Sequence, residues 1–285
     1  MSSGRVTARP KLGLIAGGGE LPVRLARRAL HEARPLFVIR LNGFASEALT
    51  EFEGEEAGLA ELGRCIALLR KAGCEAVCFA GQVDRPDFSQ LKPDLRGLKA
   101  LPGAIAAARK GDDALLRFLV GEFEKEGFAI EGAQAVDGDL LLPDGPLGAV
   151  TPDEAHAADI AKALAIARIM GAHDIGQGAV VAAGLVLAVE AQEGTDALLM
   201  RCAALPAAIR GDASARLGVL AKAPKPVQER RVDLPTLGVS TIEKAAAAGL
   251  AGVVGEAGAV LVLDRAGVIA AADRLGLFVV GVPAP

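Results

Sequence analysis

The sequence predicts an α/β protein of two domains. A chain of 285 residues is about twice the length of an average domain, and its 52% hydrophobic content can supply two cores. In the N-terminal half, short β-type runs alternate with helical patterns, which is typical of a parallel sheet with helices on both faces. We therefore predict an N-terminal Rossmann-like parallel sheet, followed by a second α/β domain at the C-terminus.

Each element of the first domain follows from its apolar pattern. Leu12–Ala16 is a short apolar run that ends at three glycines, and helical spacing of apolar residues begins at Leu21. The later elements are a strand at Leu36–Leu41, a helix at Leu59–Ala72, a strand at Ala76–Ala80 and a helical region at Ala100–Gly127 that breaks at Gly111–Asp113.

The segment Asp139–Pro152 is rich in proline and predicts an interdomain linker, so the expected domains are residues 10–145 and 150–285, behind a tail at 1–9. Thr151 lies three residues before Glu154, the spacing of a capping box, so a helix is expected to about Met170. The remaining elements are Ala179–Val189 as one bent strand or a hairpin, a helix at Thr195–Leu205, a strand at Leu217–Lys222, a helix at Ile242–Ala248, and strands at Val253–Val254, Val260–Leu263 and Leu277–Val282.

Composition argues against several classes of protein. The 31 basic and 35 acidic side chains give a net charge of −4, and the chain has no Trp or Tyr, so no nucleic-acid partner is expected. No uninterrupted apolar run reaches the roughly 18 residues of a membrane span, and no signal peptide is predicted. The four cysteines form no C-x-x-C pair, which argues against a zinc site and for free buried thiols in a reducing cytoplasm.

The first candidate site is the segment from Gly17 to Pro22, at a predicted strand-to-helix junction. Glycines let a backbone approach a phosphate, and the N–H groups of a helix N-terminus point at the anion. The segment favours an anion or a nucleotide, with a plain tight turn as the alternative. It is a poor dinucleotide fingerprint, because Pro22 replaces the third glycine and Arg40 lies where an acidic residue is expected.

A second candidate site follows the predicted strand Ala76–Ala80. Gln82, Asp84 and Arg85 place an amide, a carboxylate and a guanidinium within four positions. Ligands of open α/β sheets bind at the carboxyl ends of the strands, so these side chains are candidate ligand contacts. A solvated strand–helix loop is the alternative.

The richest candidate is the polar segment between Lys222 and Thr236, which contains several prolines. Loops this polar in so apolar a chain are usually functional. Lys222, Lys225 and Arg231 match the charge of a diphosphate, and Asp233 could bind Mg²⁺ or orient a water. A solvated run of charges is the alternative.

The fourth candidate is Glu190–Asp196, which leaves an apolar strand and enters a predicted helix. Thr195 either caps that helix or contributes its hydroxyl to another anion site. In the second case, Glu193 or Asp196 is a candidate metal ligand.

Taken together, these segments resemble the LpxI-type UDP-2,3-diacylglucosamine pyrophosphatases of bacterial lipid A synthesis. The resemblance covers nearly the whole chain beyond the tail and rests on Ala16–Pro22, Gly81–Val83, Glu193–Asp196 and the pattern Lys225-Pro226-x-Gln228-x-x-Arg231-x-Asp233-x-Pro235-Thr236. The last motif is the specific one. Glu229 departs from the family pattern, where Asp is expected, but keeps the charge.

The resemblance implies a lipid-bearing nucleotide held between two α/β domains, and Mg²⁺-dependent hydrolysis to UMP and 2,3-diacylglucosamine 1-phosphate, which is lipid X. Catalysis is expected from Asp233, Lys225, Arg231 and Gln228, and metal binding from Asp233 and Glu229. Substrate contacts are expected from Gly17, Gly18, Gly19, Glu20, Leu21, Gln82, Thr195, Asp196, Lys222 and Thr236.

We also expect transient contact with the cytoplasmic face of the inner membrane, because the implied substrate carries two acyl chains. An apolar cleft, for example along Val180–Val189, could hold these chains, and a homodimer is also considered. Two rival functions stay open: an NADP-linked oxidoreductase with Arg40 near a 2′-phosphate, and a non-catalytic nucleotide-sugar-binding protein. The polar segment after Lys222 favours an enzyme.

Overall fold

The computed structural model describes residues 9–84, 87–226 and 229–284. The chain divides into two compact units, the first ending at Gly138 and the second beginning at Asp139. Helices and strands are interleaved in both units, which confirms the predicted α/β class. In these residues, no helix combines the length and the apolar character needed to cross a bilayer.

The first unit is built on a five-stranded sheet whose paired strands are all parallel. The strand order is β3-β2-β1-β4-β5, so the chain reverses its direction of progress across the sheet between β1 and β4. The strands are β1 (Leu12–Ala16), β2 (Leu36–Leu41), β3 (Gly54–Ala57), β4 (Ala76–Ala80) and β5 (Ala129–Ile130). The helices are α1 (Leu21–His31), α2 (Leu62–Lys71), α3 (Leu95–Ala108), α4 (Asp112–Glu124) and α5 (Ala133–Val136).

The central strands of this sheet are apolar because helices cover both of their faces. Every residue of β1 is buried, and β4 is buried except for the partly exposed Phe79. One face packs against α2 and α4 through residues such as Leu69 and Phe123. The sequence did not predict β3, because its Gly-Glu-Glu-Ala segment is an edge strand with two exposed glutamates.

The second unit contains a six-stranded mixed sheet in the order β6-β13-β11-β9-β7-β8. Strands β9, β11 and β13 are parallel, whereas β6, β7 and β8 pair antiparallel. The elements are β6 (Gly145–Pro146), α6 (Ala157–Ala172), β7 (Gly178–Ala182), β8 (Leu185–Val189), α7 (Gly194–Ala203), α8 (Ala207–Arg210), β9 (Val219–Lys222), β10 (Thr236–Leu237), α9 (Val239–Ala247), β11 (Gly252–Glu256), β12 (Leu261–Val262), α10 (Arg265–Leu275) and β13 (Phe278–Val282). Strands β10 and β12 form a separate parallel pair.

The segment Ala179–Val189 is a hairpin, not one bent strand. Its two turn residues, Ala183 and Gly184, have positive φ angles of 48° and 77°. The buried carboxylate of Asp159, on α6, accepts hydrogen bonds from both turn N–H groups at 2.8 and 2.7 Å. The hairpin turn is therefore fixed from the side by a helix.

The predicted capping box at Thr151 and Glu154 is wrong. The structure places it two residues later, where the Asp153 N–H donates to Nδ1 of His156 at 3.3 Å. A short 3₁₀ turn at Glu154–His156 then leads into α6. The His156 ring also packs edge-on against Phe278, with ring centroids 5.0 Å apart, so tertiary contact favours the later cap.

All four cysteines are free and buried, as predicted. Burial raises the pKa of Cys65 and of Cys78 to about 12, from an ordinary value of 9.0. Both thiols belong to the first unit, Cys65 on α2 and Cys78 on β4.

The first unit is expected to lose stability in alkali. The unfolded chain releases these thiol protons at lower pH than the folded chain, so the free energy of unfolding is unaffected below pH 9 and falls between pH 9 and about 12. At pH 10.5, each of the two thiols should account for a loss of about 2 kcal/mol. Because the chain has no Tyr, phenol ionisation does not interfere. Urea unfolding of wild type and Cys65→Ala/Cys78→Ala at pH 7.5 and 10.5 checks this, and an equal alkaline loss in both proteins would contradict it.

Candidate functional site

The first two predicted motifs meet at the switch point of the N-terminal sheet. Gly17–Gly19 follows β1 and Gly81–Gln82 follows β4, which is the neighbour of β1 in the sheet. Where neighbouring parallel strands send their chains in opposite directions, the carboxyl ends of the strands leave a crevice in which α/β proteins bind ligands. The topology therefore places these motifs where a ligand is expected.

The two loops at this point are joined through their backbones. Gly17 N–H donates to the Ala80 carbonyl at 2.8 Å, Gly18 N–H donates to the Gln82 carbonyl at 2.8 Å, and Gln82 N–H donates to the Gly18 carbonyl at 2.9 Å. A Cβ atom on Gly17 would lie 2.6 Å from the Gln82 carbonyl oxygen. These glycines thus permit close approach of two loops, and their N–H groups bind protein, where the sequence analysis expected a phosphate.

The N–H groups that face outward at this edge belong to the start of α1. Gly19 is exposed with a φ of 83°, and the exposed Glu20 precedes the helix without capping it through its side chain. The first N–H groups of a helix lack internal acceptors and lie at its positive end, so they favour an anion. Leu21 begins this helix, and Gln82 is exposed beside the same loop.

Arg40 does not serve a 2′-phosphate. Its guanidinium donates to three backbone carbonyls of the following connection, those of Leu49 and Phe52 at 3.4 Å and of Gly54 at 3.0 Å. The side chain therefore holds β2 to the segment that leads into β3. The hypothesis of an NADP-linked oxidoreductase depended on Arg40 as the contact to the 2′-phosphate, and this side chain is engaged elsewhere. Arg85, from the second motif, lies outside the described residues.

In the second unit, a buried hydrogen-bond chain surrounds Lys222 at the end of β9. Lys222 is only 3% exposed, and its Nζ donates to Thr195 Oγ1 at 2.7 Å and to the Thr236 carbonyl at 3.0 Å. Thr195 Oγ1 in turn donates to Glu190 Oε1 at 3.1 Å. The fold thus joins Lys222 to two other parts of the sequence, Glu190–Thr195 and Thr236, and both threonines were predicted to share a site with Lys222.

Burial and charge act in opposite directions on Lys222. Burial lowers the pKa of its ammonium group, while the carboxylates of Glu190, Asp196 and Asp233 raise it, and burial is the larger effect. Asp233 and Asp196 are therefore close enough to Lys222 to act on its charge. Asp196 also forms an ion pair with Lys244 of α9.

Thr195 does not cap the helix that follows it. Helix α7 begins at Gly194, with Glu193 in the N-cap position, so Thr195 lies inside the first turn. Its hydroxyl bonds to Glu190 and Lys222 across the sheet edge. Of the two interpretations of Thr195, the cap is wrong.

We use the name polar loop for residues 223–235, which connect β9 to β10. Ion pairs hold its charged side chains. Lys225 Nζ lies 2.7 Å from Asp174 Oδ1, and the Arg231 guanidinium donates twice to the Glu229 carboxylate, each time at 2.8 Å. The Asp233 N–H closes a turn by donating to the Glu229 carbonyl at 3.1 Å. Gln228 lies outside the described residues.

Asp233 and Glu229 are the two carboxylates of the polar loop that were predicted to bind magnesium. Among the residues described, no group of three or more His, Cys, Asp or Glu side chains could hold a metal by itself. Mg²⁺ usually takes one or two carboxylates and completes its shell with water and substrate phosphates. Asp233 is a carboxylate of this kind, and the Glu229 carboxylate accepts hydrogen bonds from Arg231 through both of its oxygens.

Sequence reasoning gave no role to Glu190 or Asp174. Glu190 is the first charged residue after the apolar strand β8, and that position was the available signal. Asp174 follows α6 with a φ of 55° and pairs with Lys225 across a long stretch of sequence. The pairing of Asp174 with Lys225 joins residues 51 positions apart, and Glu190 is linked to Lys222 only through Thr195, so neither relation to a lysine is visible in the local sequence.

Comparison with known proteins assigns both units to one family. The model of the LpxI N-terminal domain matches residues 11–140, and that of the LpxI C-terminal domain matches residues 143–280. The UDP-2,3-diacylglucosamine pyrophosphatase LpxI of Caulobacter vibrioides is 64% identical over 272 residues, which cover 95% of this chain and 97% of that protein.

Solved structures are much less similar. A CobK precorrin-6A reductase has 15% identity and a TM-score of 0.33, covering 97% of this chain and 88% of that one. The N5-carboxyaminoimidazole ribonucleotide synthetase of Thermotoga maritima has 15% identity and a TM-score of 0.24, covering 65% and 42%. Neither likeness bears on function. The two family models together span most of the sequence and the Caulobacter relative covers 95% of it, so the chain belongs to the LpxI family.

Proposed function

We propose that this chain hydrolyses the diphosphate bond of UDP-2,3-diacylglucosamine, releasing UMP and 2,3-diacylglucosamine 1-phosphate in lipid A biosynthesis. Water adds to one phosphorus and the bridging P–O bond breaks, so the two products together contain the substrate and one water. The observation that carries the proposal is the polar loop, whose cations and carboxylates are oriented by ion pairs beside the buried Lys222. Membership of the LpxI family supports it.

The cations of the polar loop are assigned to the diphosphate. Cleavage of a phosphoanhydride needs neutralisation of the phosphate charge more than covalent help from the protein. Lys225 is oriented by Asp174, and Arg231 by Glu229, so neither side chain needs to search for its position when substrate arrives. Lys222 is buried, so its ammonium group stabilises the loop from the protein interior.

Asp233 is assigned to the metal and the attacking water. When bound, Mg²⁺ supplies positive charge to the diphosphate and lowers the pKa of a coordinated water. The Asp233 carboxylate would hold that ion, or would accept a hydrogen bond from the attacking water and orient it. The turn closed by its own N–H fixes the backbone position of Asp233.

The nucleotide is assigned to the switch point of the first unit. The N–H groups of Gly19, Glu20 and Leu21 lie at the positive end of α1, and the exposed Gln82 amide is beside them. An amide can donate to and accept from a base or a ribose. Gly17 and Gly18 contribute by keeping the two loops in register.

The reaction and its metal are tested together. Wild type should release UMP from UDP-2,3-diacylglucosamine with Mg²⁺ and lose this activity in EDTA, with recovery when Mg²⁺ is restored. Asp233→Asn removes the charge and keeps the shape, so kcat should fall by at least about 100-fold at saturating Mg²⁺. UMP is quantified by chromatography, and circular dichroism checks the fold of the variant.

Two outcomes would oppose these assignments. Absence of UMP release by wild type with Mg²⁺ would refute the proposed reaction. Full turnover by Asp233→Asn would remove Asp233 from catalysis while leaving the reaction in place. The surface variant Asp212→Asn is the matched control, because Asp212 bonds only to its own turn in the described structure, through Ser214 and Ala215.

Gly81→Ala should weaken substrate binding. Gly81 has a φ of 96°, and a Cβ there would lie 2.6 Å from the Gly18 carbonyl oxygen and 2.7 Å from Pro22 Cγ. The new methyl group must push the two loops apart at the start of α1, so KM should rise about tenfold if 1–2 kcal/mol of binding is lost. Gly127→Ala is the control, since its φ of 88° imposes similar backbone strain with nothing within 4 Å of the added Cβ. Equal KM values in the two variants would contradict the assignment.

We place the membrane contact on α3. Leu95 and Leu98 are 83% and 56% exposed, and the exposed Lys99 lies on the same face of the helix. Apolar side chains beside a basic one favour the surface of an anionic bilayer, where a peripheral enzyme on the cytoplasmic side meets a lipid substrate. Of the segment Val180–Val189, which was expected to line an apolar cleft, the β7 residues are buried, whereas Leu185 and Val186 of β8 are 58% and 42% exposed.

Vesicle binding tests this surface. Leu95→Ser/Leu98→Ser should reduce co-sedimentation with phosphatidylglycerol-containing vesicles at least about tenfold, as each buried leucine contributes on the order of 1 kcal/mol. Leu30→Ser is the matched control, because Leu30 is 68% exposed on a different helix, α1. Unchanged binding by the double variant, or equal loss in the control, would contradict the proposal.

A further inference from the structure

Glu190 is a buried carboxylate that no assignment above uses. Its side chain is 6% exposed, directly after β8. Oε1 accepts the hydrogen bond from Thr195, and Oε2 has no hydrogen-bond partner within the described part of the chain. An ionised carboxylate is costly to bury, so its retention here points to a specific partner charge.

That partner charge is the ammonium group of Lys222, one hydroxyl group away. An ammonium group can only donate, so the Thr195 oxygen must accept from Lys222 Nζ at 2.7 Å. The single Thr195 proton is then directed to Glu190 Oε1 at 3.1 Å. The chain of hydrogen bonds has one polarity, from Lys222 through Thr195 to Glu190, as long as Lys222 is protonated.

The backbone makes room for this carboxylate. Gly178 is the register partner of Lys222 on the neighbouring strand, and a Cβ on it would lie 2.4 Å from Glu190 Oε2. A Cβ on Gly176 would lie 2.0 Å from the Glu190 carbonyl oxygen. Glycines at both positions therefore let Glu190 lie against the strand edge beside Lys222.

Lys222 also lies directly before the polar loop and contacts the residue that follows it. The loop leaves β9 directly after Lys222 and returns at β10, where the Thr236 carbonyl accepts from Lys222 Nζ at 3.0 Å. One ammonium group thus ties both ends of the loop that carries Lys225, Arg231 and Asp233. Any loss of its charge loosens both ends at once.

We propose that Glu190 is a positioning residue for the hydrolysis, which acts through the Thr195 hydroxyl to keep the Lys222 ammonium group charged and fixed between the two ends of the polar loop. The inference rests on the proposed function and adds to it a residue outside the polar loop. Glu190 itself is expected to touch neither the substrate nor the metal.

Glu190→Gln is the first test, because it keeps the shape and a hydrogen-bond acceptor for Thr195 and removes the charge. The carboxylates that then remain near Lys222 are Asp196, which pairs with Lys244, and Asp233. The pKa of Lys222 should fall further, so the alkaline limb of the kcat–pH profile should move to lower pH. At neutral pH, kcat should fall about tenfold with KM changed less than twofold.

Two further variants make the outcome specific. Thr195→Val removes the connecting hydroxyl at nearly constant shape and should move the alkaline limb in the same direction as Glu190→Gln. Glu243→Gln is the matched control, since Glu243 is an exposed residue of α9 that forms an ion pair with Arg274 on the surface. An alkaline limb that stays in place in Glu190→Gln or in Thr195→Val, or a kcat loss no larger than that of Glu243→Gln, would overturn the proposal.

A measurement without turnover separates this proposal from the proposed function. The coupling between Glu190 and Lys222 exists only while Lys222 is protonated, so the loss of unfolding free energy in Glu190→Gln should be smaller at pH 10 than at pH 7. Titration of the buried thiols is common to both proteins and cancels in the difference. An equal loss at both pH values would overturn the inference even if wild type releases UMP. A smaller loss at pH 10 without UMP release would support the coupling and refute the proposed reaction.

Discussion

The dehydration of one ammonium group constrains the arrangement of the second unit. Lys222 can leave water only where other groups replace its hydration, and here these groups come from the start of α7, from β10 and from the end of β8. The sheet edge must therefore bring two other parts of the sequence, Glu190–Thr195 and Thr236, to the end of β9. This requirement also fixes the two ends of the polar loop, because both lie at the Lys222 ammonium group.

The two units hold their functional loops by different physical means. In the first unit, glycines permit a short backbone-to-backbone pairing between Gly18 and Gln82, which involves no charge. In the second unit, side-chain ion pairs orient Lys225 and Arg231. Backbone pairing is insensitive to pH and salt, whereas partly exposed ion pairs are screened by salt. Ionic strength should thus influence the polar loop of the second unit more than the paired loops of the first unit.

Sequence patterns predicted the strands that are largely buried. The strands β1, β2 and β4 lie at the predicted residues, since a parallel strand covered on both faces is a continuous apolar run. The strands β3, β5 and β10 gave no such signal, because they are short or lie at an edge. The motifs around Lys222 were found from composition, but the role of Glu190 depends on a partner reached through Thr195, and no local pattern encodes that contact. The cap at Asp153 was missed because Thr151 offers the same chemistry two residues earlier.

The close packing of the loops at Gly17 and Gly81 limits how the sequence of this protein can change in evolution. Each glycine is confined by main-chain atoms of the other loop, at 2.6 Å in both cases. An obstacle made of backbone cannot be removed by substituting a neighbouring side chain, so neither position has a compensating mutation within the opposite loop. Single substitutions of Gly17 or Gly81 are therefore not expected to be tolerated. A design that wishes to enlarge this crevice must instead insert residues into one loop and rebuild the pairing as a whole.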